Sequence, residues 1–176
     1  MAFRLCVQFM GYRSCLESNR HSTAGVLVVV DRKARYVQAV KTTSRTTREN
    51  NDALLCAVGG MTHIHSLTYD NDIAFQKHEA VNIRLGSASY FCHPYHSWEK
   101  GTVEHMNGKL RWFLKKGSDL GRYSQEEIDS VCAFFNHRPM KCLLYQTPYE
   151  VMVRNNAFCD RLITIKKSTE VVQLGG

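Results

Sequence analysis

The sequence predicts an α/β domain in which helices flank a mixed sheet. Three observations carry that expectation. Apolar, β-branched runs crowd the first forty residues, strand-like and helix-like segments then alternate, and helical patterns dominate after residue 100. A chain of 176 residues is of single-domain size. Its 44% apolar and 22% charged residues are ordinary globular proportions that exclude a low-complexity or wholly disordered chain.

The elements follow in order. Phe3 to Phe9 alternates apolar and mixed positions, as a strand does, and residues 10–24 are polar enough for a loop. Gly25–Val30 and Arg35–Val40 are strand-like runs around the polar turn Asp31-Arg-Lys-Ala34, which predicts a β-hairpin. Thr46 to Val58 places Ala53, Leu54, Ala57 and Val58 at helical spacing and is stopped by Gly59-Gly60. Ile64–Tyr69 reads as a short buried strand ending at Asp70, Phe75–Leu85 as a helix closed by Gly86, and Ala88–Cys92 as a strand stopped before Pro94. Gly101–Lys116 is helical up to Gly117. Ser124-Gln-Glu-Glu127 and Thr147-Pro-Tyr-Glu150 are capping boxes that each open a further helix, the first running to about His137.

Composition bounds the partners. Lys and Arg number 23 against 16 Asp and Glu, a net charge of +7 and a pI near 9.1, and residues 1–50 hold nine basic and three acidic side chains. Such a bias suits a polyanion such as nucleic acid, and equally a solvated basic face; charge alone does not separate them. The longest apolar run, Ala24–Val30, is far short of the ~20 residues of a membrane span. Seven cysteines, an odd count without a CxxC pair, suit a reducing, cytoplasmic setting.

Two acids stand out. Asp70 follows an apolar strand, with Asp72 close behind, and Glu104 lies in the first turn of a predicted helix. One helix and one strand separate them, so the fold can bring both to one end of the sheet. Hard carboxylate oxygens of this kind suit Mg²⁺. A turn cap at Asp70 and a helix-dipole partner at Glu104 account for the same spacing more simply. On the helix, Glu104, Gly108, Arg111 and Lys115 share one face, opposite an apolar stripe of Val103, Met106, Leu110 and Phe113. That face suits a phosphodiester backbone, and a solvated surface helix explains it almost as well. His63, His65, Cys92, His93 and His96 are zinc-type donors without finger or ribbon spacing. Cys56, Cys132 and Cys142 read as small core hydrophobes, and Phe113, Phe134 and Phe135 as core.

The run Ser89-Tyr-Phe-Cys-His-Pro-Tyr-His-Ser-Trp98, continuing Glu99-Lys-Gly-Thr-Val-Glu-His-Met-Asn-Gly108, resembles the catalytic signature of bacterial insertion-sequence transposases of the insertion-sequence-thirty group. Blocks at 30–36, 67–71, 115–120, 136–139 and 145–148 match that family in order and cover about residues 25–152. The resemblance implies a ribonuclease-H-like mixed sheet, the integrase catalytic core, flanked by helices. It leaves residues 1–24 poorly matched and 153–176 as a C-terminal extension.

It also implies a DDE chemistry, in which three carboxylates hold two Mg²⁺ (or Mn²⁺) ions that cleave DNA and join its strands. Asp70 then matches the second acid and Glu104 the third, with 33 residues between them. Lys100, Asn107 and Arg111, with Lys115 on the same helix, become candidate DNA contacts. The implied partners are DNA, both element ends and target, and further copies of the chain. Asp31 matches a hairpin-turn position and is read as structural. No first acid is carried over: its expected neighbourhood holds Ser14, Cys15 and Leu16, and Glu17 is the one acid ahead of Asp31. Asp72 replaces the usual Gly. With the family's N-terminal recognition segment also unmatched, the alternative expectation is an inactive, truncated copy that binds only DNA or a full-length transposase.

Overall fold

The computed structural model describes residues 3–11, 24–44, 46–70, 75–93, 96–114 and 120–158. Five strands, β1 (Phe3–Gly11), β2 (Gly25–Asp31), β3 (Val37–Thr42), β4 (Ile64–Tyr69) and β5 (Ala88–Phe91), form one sheet in the order β3-β2-β1-β4-β5. β1, β2 and β3 pair antiparallel, whereas β4 is parallel to β1 and β5 is parallel to β4. Parallel neighbours need a crossover, and α1 (Thr47–Val58) and α2 (Glu79–Leu85) supply it. α3 (Gly101–Phe113), α4 (Gln125–Asn136) and α5 (Pro148–Arg154) complete the fold. The sheet is mixed and flanked by helices, as expected. Phe3–Gly11, inside the stretch that the motif blocks leave unmatched, is its middle strand.

Alternation along β1 explains the two cores. Phe3, Leu5 and Val7 point to one face and pack with Leu54, Ala57, Val58, Leu67 and Met152. Cys6 and Met10 point to the other, against Val103, Met106 and Leu110 of α3 and Ile128, Cys132 and Phe135 of α4. β2 is covered on both sides, so all seven of its residues are buried, which its unbroken β-branched run anticipates. Helix ends follow their local chemistry: Ser124 and Thr147 close full capping boxes with Glu127 and Glu150, and Gly86 ends α2 in the left-handed conformation that glycine tolerates.

Asp31 is structural, as read. Fully buried in the hairpin turn, it accepts backbone N–H bonds from Arg4 (3.2 Å), Lys33 (2.9 Å) and Ala34 (2.6 Å). Burial pushes its carboxyl above the ordinary range against the pull of those three donors. Two amides of α4 complete the outer side of β3. Asn136 accepts from the Val37 N–H (2.9 Å) and donates to its carbonyl (2.8 Å), while Gln125 accepts from the Lys41 N–H (2.8 Å) and donates to the Ala39 carbonyl (2.9 Å).

Some expectations change. Of the three phenylalanines expected in the core, Phe135 is buried, but Phe113 is 44% and Phe134 53% exposed. Consecutive helix positions differ by about 100°, so Phe134 and Phe135 cannot both face the sheet, and Phe113 lies in the last turn of α3. The three rings still meet at 5.3–5.7 Å. Cys132 is buried, its thiol pushed up to about 12 by burial, whereas Cys56 and Cys142 are exposed. Lys115, Asp72 and Ser14–Glu17 lie outside the described residues.

Asp31→Ala strands three backbone N–H groups, that of Ala34 buried and those of Arg4 and Lys33 partly so, so urea unfolding should show a loss of about 3 kcal/mol of stability. A variant as stable as the parent would remove the structural role.

Candidate active site

The parallel ladder pairs Val7 with Tyr69, and the Asp70 N–H reaches the Val7 carbonyl at 3.4 Å. Gln8 therefore stands beside Asp70 where β1 and β4 end their pairing. It shares the face of Cys6 and Met10, the face that α3 covers. Gln8 Nε2 donates to Asp70 Oδ2 at 3.3 Å, and its Oε1 accepts from Asn107 Nδ2 at 2.8 Å. An amide thus ties the second strand of the site to the helix.

Glu104 reaches the same place from the first turn of α3. Lys100 Nζ lies 2.8 Å from Asp70 Oδ1 and 3.8 Å from Glu104 Oε1. The two carboxylates are consequently no more than about 7 Å apart, close enough to share one cation. The hydrogen bond to Asp70 is the main reason that the Lys100 ammonium is held above its ordinary value. The hairpin fixes where α3 begins: Arg32 donates to the Glu99 carbonyl and to Cys6 Sγ (3.0 Å), and Arg35 donates to Thr102 Oγ1 (2.7 Å). Glu99 accepts from the backbone and ring nitrogens of His93, which lower its pKa and brace the turn before the helix.

Asp70 and Glu104 are brought together around Lys100. Arg111 is exposed on the face of Glu104 and Gly108, and a Cβ at Gly108 would meet nothing within 4 Å, so that face is open. Two expected DNA contacts are placed differently. Asn107 is only 4% exposed, because it lies between the buried Val103 and Leu110 on the helix, and its amide holds Gln8. Lys100 turns inward, drawn by the two acids. Gln8 is the site residue that sequence reasoning missed: counting back from Asp31 at the family spacing leads to 14–17, whereas the strand lies at 3–11. The available signal was its polar side chain between Cys6 and Met10 on one strand face.

Among the described residues the donor set does not fit a pair of divalent ions. Three positions converge, but one is a neutral amide, and an ammonium already sits between the other two. Among the described residues no group of three or more His, Cys, Asp or Glu comes together.

Beside this site, the neighbouring face of α3 borders a cleft of about 720 Å³ lined by Arg35, His105, Lys109, Trp112, Arg138 and Lys141. Its cations come from the hairpin, the helix and the segment after α4, so no linear charge run announces it.

The chain is 35% identical over 142 residues to the transposase for insertion sequence element IS1086 of Cupriavidus metallidurans, which covers 78% of this chain and 40% of that protein. It is 34% identical over 137 residues to transposase InsI for insertion sequence element IS30A of Escherichia coli, 77% of this chain and 36% of that protein. The chain therefore spans about two fifths of the curated relatives it matches. No family model matches it. Among solved structures, the catalytic core domain of BIV integrase superimposes with a TM-score of 0.64 at 18% identity, covering 87% of this chain and 95% of that one. A chain of a simian T-cell lymphotropic virus intasome complex gives 0.64 at 21% identity, over 85% and 52%. These likenesses establish an integrase-core, ribonuclease-H-like fold. No helix of the described residues is long and apolar enough to cross a membrane.

The Lys100 bridge has a signed pH dependence. An ammonium whose value is raised by folding stabilises the fold fully below its ordinary 10.5, and that contribution is lost as the pH climbs through the raised value. Lys100→Met should cost about 1 kcal/mol in neutral urea melts. The gap to the parent should close as the pH passes 10.5. A gap that stays constant would show that the ion pair is not its cause.

Proposed function

We propose that this chain, homologous to the insertion-sequence-thirty transposases and a transposase/integrase-type catalytic domain in sequence and fold, serves DNA recombination by holding duplex DNA along the exposed side of α3. The observation that carries the reading is the convergence of Asp70 and Glu104 at the end of the sheet, flanked by the open face of Gly108 and Arg111 and by the basic cleft. A phosphodiester backbone laid there meets Arg111 on one side and Lys109, Arg138 and Lys141 on the other. Its phosphates pass next to the acids, where strand cleavage and transfer belong in this reading. Copies of the chain meeting on DNA would find exposed aromatic surface at Trp112, Phe113 and Phe134.

A specific observation favours a second reading, DNA binding without cleavage. Phosphoryl transfer depends almost wholly on positioning and on charge held ready for the transition state. Here Gln8 contributes no charge, and Lys100 partly cancels that of Asp70 and Glu104.

Binding to duplex DNA should weaken steeply with salt in a gel-shift titration. Arg111→Ala should reduce the slope of log affinity against log salt by about 0.9. Salt-independent binding, or none, would remove the DNA interface. With Mg²⁺ and terminal-repeat DNA, products that vanish in Glu104→Gln assign strand transfer to this site. Binding with no product at any Mg²⁺ concentration assigns the second reading.

A further inference from the structure

We propose that the acid pair of this chain is partly neutralised from within by Lys100, and that, among the described residues, Gln8 is the position whose missing charge separates it from a divalent-metal site. The proposal rests on the reading of Asp70 and Glu104 above and extends it to a residue on the neighbouring strand.

Gln8 Nε2 lies 3.3 Å from Asp70 Oδ2. Two oxygens that share an octahedral Mg²⁺ at its usual bond length lie about 3 Å apart. The amide nitrogen therefore stands close to where the partner oxygen of Asp70 would stand, but it presents hydrogens to any cation that approaches. The far side of the same carboxylate is taken by Lys100 at 2.8 Å, which also reaches Glu104. The second half of the cradle is already built. Asn107 donates to Gln8 Oε1 and would donate equally to a carboxylate oxygen at that point, and its own Oδ1 is buried without a hydrogen-bond partner among the described residues. Gln8→Glu changes no heavy-atom shape; it exchanges an NH₂ for an oxygen and takes the cluster from one net negative charge to two. Two carboxylates held that close repel unless a cation lies between them.

The test follows Mn²⁺ binding to the full chain by electron paramagnetic resonance, with thermal melting in parallel. The parent should show no saturable binding below about 10 mM, whereas Gln8→Glu should bind at least about tenfold more tightly and Gln8→Glu/Glu104→Gln should lose the gain. In EDTA, Gln8→Glu should melt below the parent, and Mn²⁺ should restore it. Parent binding as tight as that of the variant overturns the proposal, as does a folded Gln8→Glu that gains nothing. If that variant does not fold, Lys100→Gln makes the same decision by removing the internal cation: a gain in Mn²⁺ affinity supports the proposal, and an unchanged affinity overturns it. Duplex binding measured in EDTA stands apart from these outcomes, so failure of the DNA reading and failure of the metal reading are distinguishable.

Discussion

Parallel pairing of β1 with β4 is the contact on which this site depends. It sets the level at which the middle strand meets the end of β4, and so decides which β1 side chain stands next to Asp70. A shift of one residue would turn Gln8 toward the α1 core and bring an apolar neighbour to the acids. α3 then completes the cluster, because the hairpin arginines Arg32 and Arg35 grip its start and its apolar stripe fixes its rotation. Glu104, Lys100 and Asn107 arrive together because they are spaced along one anchored helix start.

Charge also shapes this cluster. Acids in a partly shielded cleft demand a counter-charge, and the ammonium four residues before Glu104 provides it at no cost in geometry. One side chain thereby bridges Asp70 and Glu104. The arrangement also keeps Lys100 away from the open helix face, which leaves Arg111 and the cations of the adjoining cleft as the positive groups on that side.

Much of this was legible in the sequence. The hairpin, the strand ahead of Asp70 and both capping boxes lie where local chemistry puts them, since turns and caps are decided by a few neighbouring residues. The meeting of Asp70 and Glu104 was legible through the motif order that surrounds them. Helical spacing also contained the burial of Asn107, four residues after Val103 and three before Leu110. Gln8 was hidden because strand register is a long-range property: nothing near residue 8 states that it faces residues 62 and 99 positions further along. The basic cleft was hidden for the same reason, its cations being scattered over three segments. Phe113 and Phe134 misled because hydrophobicity alone does not distinguish a core from a rim.

The amides of Asn136 and Gln125 carry one more consequence. β3 is the outermost strand on its side, and bare backbone there is an invitation to another chain's strand. Here the outward groups of Val37, Ala39 and Lys41 are already engaged by α4. Growth of the sheet beyond that margin is blocked at its source, so of the two edges of the sheet it is the short β5 whose backbone is left for another strand to approach.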